Sequence, residues 1–269
     1  MTLLAVSPHL DDAVFSAGGA LATAAAAGYD VVVATVFTQS VPAPAGFALS
    51  CQTDKGIGPE TDYMALRRRE DADACARVGA EAVWLDLPEA PHRGYGSADA
   101  LFGDVPDADA GTWRAVRDRL APLVADRRPD VVLSCQGLGG HVDHRHVVRA
   151  VRHASRDVAG VVSWWRDVPY ALRGHEADAA GDLGGLRPVG LPLAVEALTV
   201  KLDACAAYRS QLGYQFGRDD DREPADAMRQ RLAAFAQDEG ARYGFAVPAE
   251  AFVTGSAQAW QELWKVARS

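Results

Sequence analysis

No run of eighteen apolar residues occurs anywhere in the 269-residue sequence, so a membrane-spanning helix is not expected. The opening MTLLAVSP lacks the basic n-region and the long apolar stretch of a signal peptide, and the expected location is the cytoplasm. Cysteine is scarce and dispersed. Cys51, Cys75, Cys135 and Cys205 show no two-residue spacing, which excludes a zinc knuckle or a disulfide framework and implies reduced, mostly buried thiols. Excess positive charge is also missing. A formal net charge of −9 disfavours nucleic acid and anionic membranes as partners, because both reward clustered Lys and Arg. The basic run Arg67-Arg68-Arg69 is followed at once by Glu70, Asp71 and Asp73, which makes it a charge-laced helix face.

Two familiar catalytic signatures are absent as well. Gly18-Gly19 lacks the G-x-G-x-x-G spacing of a dinucleotide site and is expected to serve close helix packing. Ser7 lacks the G-x-S-x-G elbow of a serine hydrolase and is expected to be a turn residue.

What is present is a globular pattern, with 49% hydrophobic residues and ordinary levels of Gly, Pro and charge. Short apolar runs at Leu3 to Val6, Val31 to Phe37, Val83 to Leu87, Val131 to Cys135 and Val161 to Trp165 predict buried strands. Between them, Ala13 to Ala27, Asp62 to Val78, Thr112 to Ala125 and His144 to Arg156 are long enough to be helices covering a sheet. That alternation predicts a single α/β domain over residues 1–269, a Rossmann-like three-layer sandwich with a mostly parallel sheet. Helical patterns return over Val195 to Leu212 and Ala225 to Gly240, followed by an extended Phe245 to Thr254. Ser40 to Glu60 is rich in Pro, Gly and small polar residues and is expected to be an active-site loop, a candidate lid. Pro88 to Gly111 and Arg173 to Gly190 are expected to be irregular.

Chemistry concentrates in two turns. Ser7-Pro8-His9-Leu10-Asp11-Asp12 joins the first strand to the first helix, and Gly139-Gly140-His141-Val142-Asp143-His144 joins the fourth strand to its helix. In open parallel sheets, ligands bind beyond the carboxyl ends of the strands, so both turns are expected at one edge. Imidazole and carboxylate suit zinc, and a catalytic zinc keeps three protein ligands and one open position. A two-metal phosphoesterase would need a further set of bridging carboxylates, and none stands out.

The segments PHLDDA and HVDH resemble the Pro-His-Pro-Asp-Asp-Glu and His-x-Asp-His turns of the LmbE-like, or PIG-L, zinc-dependent N-deacetylases. The resemblance implies a hydrolase that removes an N-acetyl group from an amino-sugar conjugate or glycosylated small molecule. It implies Zn2+ (or another divalent metal) held by His9, Asp12 and His144, Asp11 as general base, and His141, if protonated, steadying the oxyanion. Asp143 would orient an imidazole from behind, and Arg67 would bind the substrate. Arg67 to Glu70, WRDVPY at Trp165 to Tyr170, and Lys201, Tyr208, Ser210 and Gln211 are further stretches similar to the family. Leu10 and Ala13 depart from it, the second removing a carboxylate near the metal. The alternatives are an amidase cleaving a mycothiol-type thiol conjugate and a non-catalytic metal-binding relative. The expected partner is a small N-acetylated molecule; a homo-oligomer is left open.

Overall fold

The computed structural model describes every residue except 157, 176–182, 218–221 and 267–269. Strand β1 (Thr2–Ser7) lies in the middle of the sheet, where Leu3, Leu4, Ala5 and Val6 are buried. It pairs in parallel with β2 (Asp30–Phe37) on one side and β4 (Val131–Cys135) on the other. With β3 (Glu81–Leu87), β5 (Val161–Trp165), β6 (Arg187–Pro192) and β7 (Ala249–Thr254) the order is β3-β2-β1-β4-β5-β7-β6. Among the described strands, only β7 runs antiparallel to its neighbours, β5 and β6. The predicted α/β fold and its mostly parallel sheet are therefore present, and all five predicted strands lie where the apolar runs placed them.

Helices α1 (Asp12–Ala26), α2 (Gly46–Thr53), α3 (Tyr63–Arg77), α4 (Thr112–Arg127) and α5 (Val142–Ala154) alternate with strands β1 to β5. They are joined by α6 (Val195–Cys205), α7 (Arg209–Phe216), α8 (Pro224–Arg242) and α9 (Ala257–Val266). Helix α6 packs on α1 and α3, while α4 packs on α5, and the sheet is enclosed between such layers. Gly19 permits the close approach that its sequence context suggested: a Cβ there would stand 2.6 Å from Leu193 Cδ1. The backbone N–H groups of Gly19 and Ala20 donate to the Glu250 carboxylate, which also receives the buried Lys201 ammonium at 2.6 Å.

Several expectations need correction. The segment expected to be a loop at 40–60 contains α2, and the single helix expected over Val195 to Leu212 is two. The break falls at Ala206 to Tyr208, where the Tyr208 hydroxyl donates to the buried Asp71 carboxylate at 2.9 Å, a tertiary anchor that local periodicity does not report. Strand β6 lies in the stretch Arg173 to Gly190 that was expected to be irregular and continues past it, although residues 176–182 are outside the described ones. Its sequence RPVGLP carries two prolines and a glycine, tolerable in an edge strand that hydrogen-bonds to β7 alone.

The chain leaves β1 toward β2 and β3, then returns to β4 and β5 on the other side. The reversal of direction falls between β1 and β4, whose carboxyl ends are neighbours. That crevice is where an open α/β sheet binds ligands.

Candidate active site

The turn after β1 is tied by Ser7, whose hydroxyl donates to the His9 carbonyl at 2.7 Å and accepts the Ala13 N–H at 3.0 Å. Ser7 is thus the turn residue it was expected to be. The turn after β4 depends on glycine. Gly139 and Gly140 hold φ of +80° and +73°, and a Cβ on Gly139 would stand 2.6 Å from the Tyr170 ring. Only a residue without a side chain lets the backbone pass under Tyr170 at that angle. It delivers His141 to the N-cap of α5, where its Nδ1 accepts the Asp143 N–H at 3.2 Å.

The two turns converge. Asp12 Oδ2 lies 3.2 Å from His9 Nδ1 and 3.2 Å from His144 Nε2, and it accepts the His9 backbone N–H at 2.9 Å. The donor atoms of His9, Asp12 and His144 lie within 4.8 Å of one another. Bonds of about 2.0–2.1 Å in tetrahedral coordination separate ligand atoms by about 3.3 Å, close to the spacing seen here. His144 Nε2 is buried and, despite its nearness to Asp12, has no hydrogen-bond partner of acceptable geometry among the described residues. A buried nitrogen left in that way is what a ligand to a cation looks like without the cation.

The electrostatics agree. Burial by itself would lower the His9 pKa, but Asp12 and Asp143 outweigh it and hold the imidazole at about 9. Burial likewise opposes protonation of His144, and Asp12 and Asp167 overcome it. Burial raises the Asp12 pKa, but His144 and His9 pull it well below the carboxylate range. The pocket draws protons onto both imidazoles, and a divalent ion would supply the same positive charge. The residues present therefore fit a divalent metal.

Each imidazole is braced on its far side. Asp143 Oδ2 lies 3.0 Å from His9 Nε2, and Asp167 Oδ1 lies 2.8 Å from His144 Nδ1. Asp143 in turn accepts the Ala90 N–H at 3.0 Å and meets Arg93 Nη2 at 2.7 Å. Arg93 also donates to Asp109, which accepts from the Tyr95 hydroxyl and lies 2.9 Å from His146 Nε2. His146 is buried in this relay, paired with Asp109. Asp143 and Asp167 thereby fix which nitrogen of each imidazole faces Asp12.

Among the described residues, two other donor groupings compete for an ion: His9 with His141 and Asp143, and Cys135 with His144 and Asp167. In the first, Asp143 is already engaged by Ala90 and Arg93. In the second, burial pushes the Cys135 thiol up to about 11, and none of its three members lines the cavity, whereas His9 and Asp12 of the trio His9, Asp12 and His144 do. All four cysteines are free thiols; Cys51 alone is partly exposed.

Asp11 faces a cavity of about 380 Å³ that is also lined by His9, Asp12, His141 and Arg67. Burial, then the neighbouring Asp12 charge, lifts its carboxyl to about 7, against the opposing pull of Arg67 and His9. Its Oδ1 is 3.9 Å from Arg67 Nη2. Arg67 is buried, paired with Glu89, and keeps an Nε without a hydrogen-bond partner among the described residues. Glu70, the acidic end of the same Arg-x-x-Glu stretch, turns elsewhere and accepts the N–H and hydroxyl of Ser210, fastening α7. Burial lowers the His141 pKa to about 3, against the opposing pull of Asp143. With Nδ1 accepting from Asp143, its hydrogen sits on Nε2, and the neutral ring remains a donor.

Three residues of this site escaped the motif reading: Asp167, Glu89 and Arg93. Asp167 follows β5 within WRDVPY, and the adjacency of β4 and β5 expected of a doubly wound sheet is the signal that could have found it. Glu89 and Arg93 lie in the irregular stretch after β3, where no period or spacing marks them.

The sequence profile of the PIG-L family, described as GlcNAc-PI de-N-acetylase, matches residues 4–155. The chain is 33% identical over 170 residues to the 2'-N-acetylparomamine deacetylase of Streptomyces fradiae, a match spanning 62% of this chain and 57% of that relative. It is similar to a deacetylase of the teicoplanin biosynthesis pathway, with 27% identity, a TM-score of 0.81, and coverage of 94% of this chain and 97% of the other. The zinc-inhibited form of a teicoplanin deacetylase is similar too, at 26% identity and a TM-score of 0.79, over 94% and 97% of the two chains. The matched span begins in β1 and ends just past α5, so it takes in both turns that meet at Asp12, and the chain belongs to the PIG-L family.

Proposed function

We propose that this protein is a zinc-dependent hydrolase that removes an N-acetyl, or related N-acyl, group from an amino-sugar conjugate or glycosylated small molecule. The observation that carries the reading is the meeting of His9, Asp12 and His144 around one point, with Asp11 beside it at the floor of an open cavity. The deacetylase relatives support the reaction class.

In this reading His9, Asp12 and His144 hold the zinc. Zinc, when bound, polarises a carbonyl and lowers the pKa of a coordinated water from about 15.7 to about 7. Asp11, with its carboxyl near 7, takes the proton of the attacking water and returns one to the departing nitrogen, which would otherwise be a poor leaving group. His141 donates its Nε2 hydrogen to the oxygen that becomes negative during attack; donors in that role are worth about 3 kcal/mol. Arg67 and Glu89 form a charged pair at the cavity wall that can bind sugar hydroxyls. Asp143 and Asp167 keep His9 and His144 in the required tautomer. Asp167→Asn is expected to weaken metal affinity by about 10–100-fold, measured by competition with a chromogenic chelator.

The test is acetate release from a panel of N-acetylated glycosides. Turnover is expected with the metal-loaded protein, is lost on treatment with a chelator, and returns when zinc is added back. Release of a larger acyl fragment from thiol conjugates, without acetate from any sugar, would favour the amidase alternative. The absence of turnover from a fully metal-loaded protein would favour a binding relative.

A further inference from the structure

The cavity changes character from floor to rim. Its floor is polar, with His9, Asp11 and His141 placed to meet an amide and sugar hydroxyls. At its rim stand Phe102 and Tyr214, 47% and 36% exposed, two of the few large hydrophobic side chains that the described fold leaves open to solvent. A single exposed aromatic needs no explanation. Here two of them arrive from segments remote in sequence, the short turn Asp99–Phe102 and helix α7, and line the same opening.

Both rings are held rather than loose. Phe102 packs edge-on against His141 at 5.4 Å between ring centroids and against Tyr170 at 6.1 Å, one ring away from the reacting end. The Lys55 ammonium sits 4.8 Å from the Tyr214 centroid and 5.4 Å from that of Tyr63. A sugar alone would satisfy the floor, and apolar rings exposed at the rim gain most from an apolar surface that covers them.

Building on the N-deacetylase reading, we propose that the substrate is an N-acyl amino sugar whose aglycone is apolar and of aromatic size, seated against Phe102 and Tyr214.

The experiment compares kcat/KM for p-nitrophenyl and methyl N-acetyl-β-D-glucosaminide with the zinc-loaded full chain. The wild type is expected to favour the aryl glycoside about tenfold. Phe102→Ala and Tyr214→Ala are each expected to reduce the aryl-to-methyl ratio about 3- to 10-fold, the scale of one lost aromatic pair, whereas Phe102→Tyr, which keeps the ring, retains it. Equal efficiency toward both glycosides in the wild type, or equal losses on both in the alanine variants, would overturn the aglycone site and leave the deacetylase reading standing. Acetate release from neither glycoside would remove the deacetylase reading and this inference with it.

Discussion

Replacing Asp11 with asparagine is expected to lower turnover by about 10²–10⁴-fold while zinc content stays at the wild-type level. The substitution keeps the side chain's size and removes its ability to take a proton. Asp11 suits that task because burial and the adjacent Asp12 charge bring its carboxyl to about 7, where a base is ionised often enough to act and basic enough to accept. It does not belong to the trio whose donor atoms converge, so the metal should not depend on it. Elemental analysis beside a kcat measurement separates the two effects. Zinc lost in proportion to activity would move Asp11 into the ligand set.

His9→Ala is expected to remove metal and activity together. Zinc binding to four protein ligands is worth about 10–16 kcal/mol, so one ligand carries about 3 kcal/mol, or over 100-fold in affinity. The loss reaches further than coordination. His9 joins the two turns, with Asp12 on its Nδ1 and Asp143 on its Nε2, and without it Asp143 retains only Arg93 and the Ala90 N–H as partners. The expected outcome is a protein with native circular dichroism, zinc well below one equivalent after dialysis, and no detectable acetate release. Full zinc occupancy in this variant would contradict the ligand assignment.

The contrast between what the sequence shows and what it hides has a physical basis. Strands β1, β2 and β4 are buried along nearly their whole length, so each reads as an apolar run, whereas β3 lies at the sheet edge and is half-exposed; the loops that follow β1 and β4 stand out because imidazoles and carboxylates crowd into six residues. Sheet order then brings those loops together, an inference that needs only parallel strands and a reversal of direction. Contacts made across the fold leave no such trace. The brace of Asp143 on His9 spans 134 residues, that of Asp167 on His144 depends on which strand neighbours β4, and Arg93 enters from a stretch without periodicity. Helix α2 was hidden by the small and polar residues around it, and β6 by its prolines. The missing glutamate at Ala13 was legible as an absence. The carboxylate that Glu89 brings to the cavity wall was not, because it arrives from the irregular stretch after β3.

The most direct test is X-ray anomalous scattering at the zinc edge from crystals of the zinc-loaded protein. One peak is expected, bonded to His9 Nδ1, an Asp12 carboxylate oxygen and His144 Nε2. A peak between Cys135, His144 and Asp167, or none near Asp12 at full loading, would contradict it.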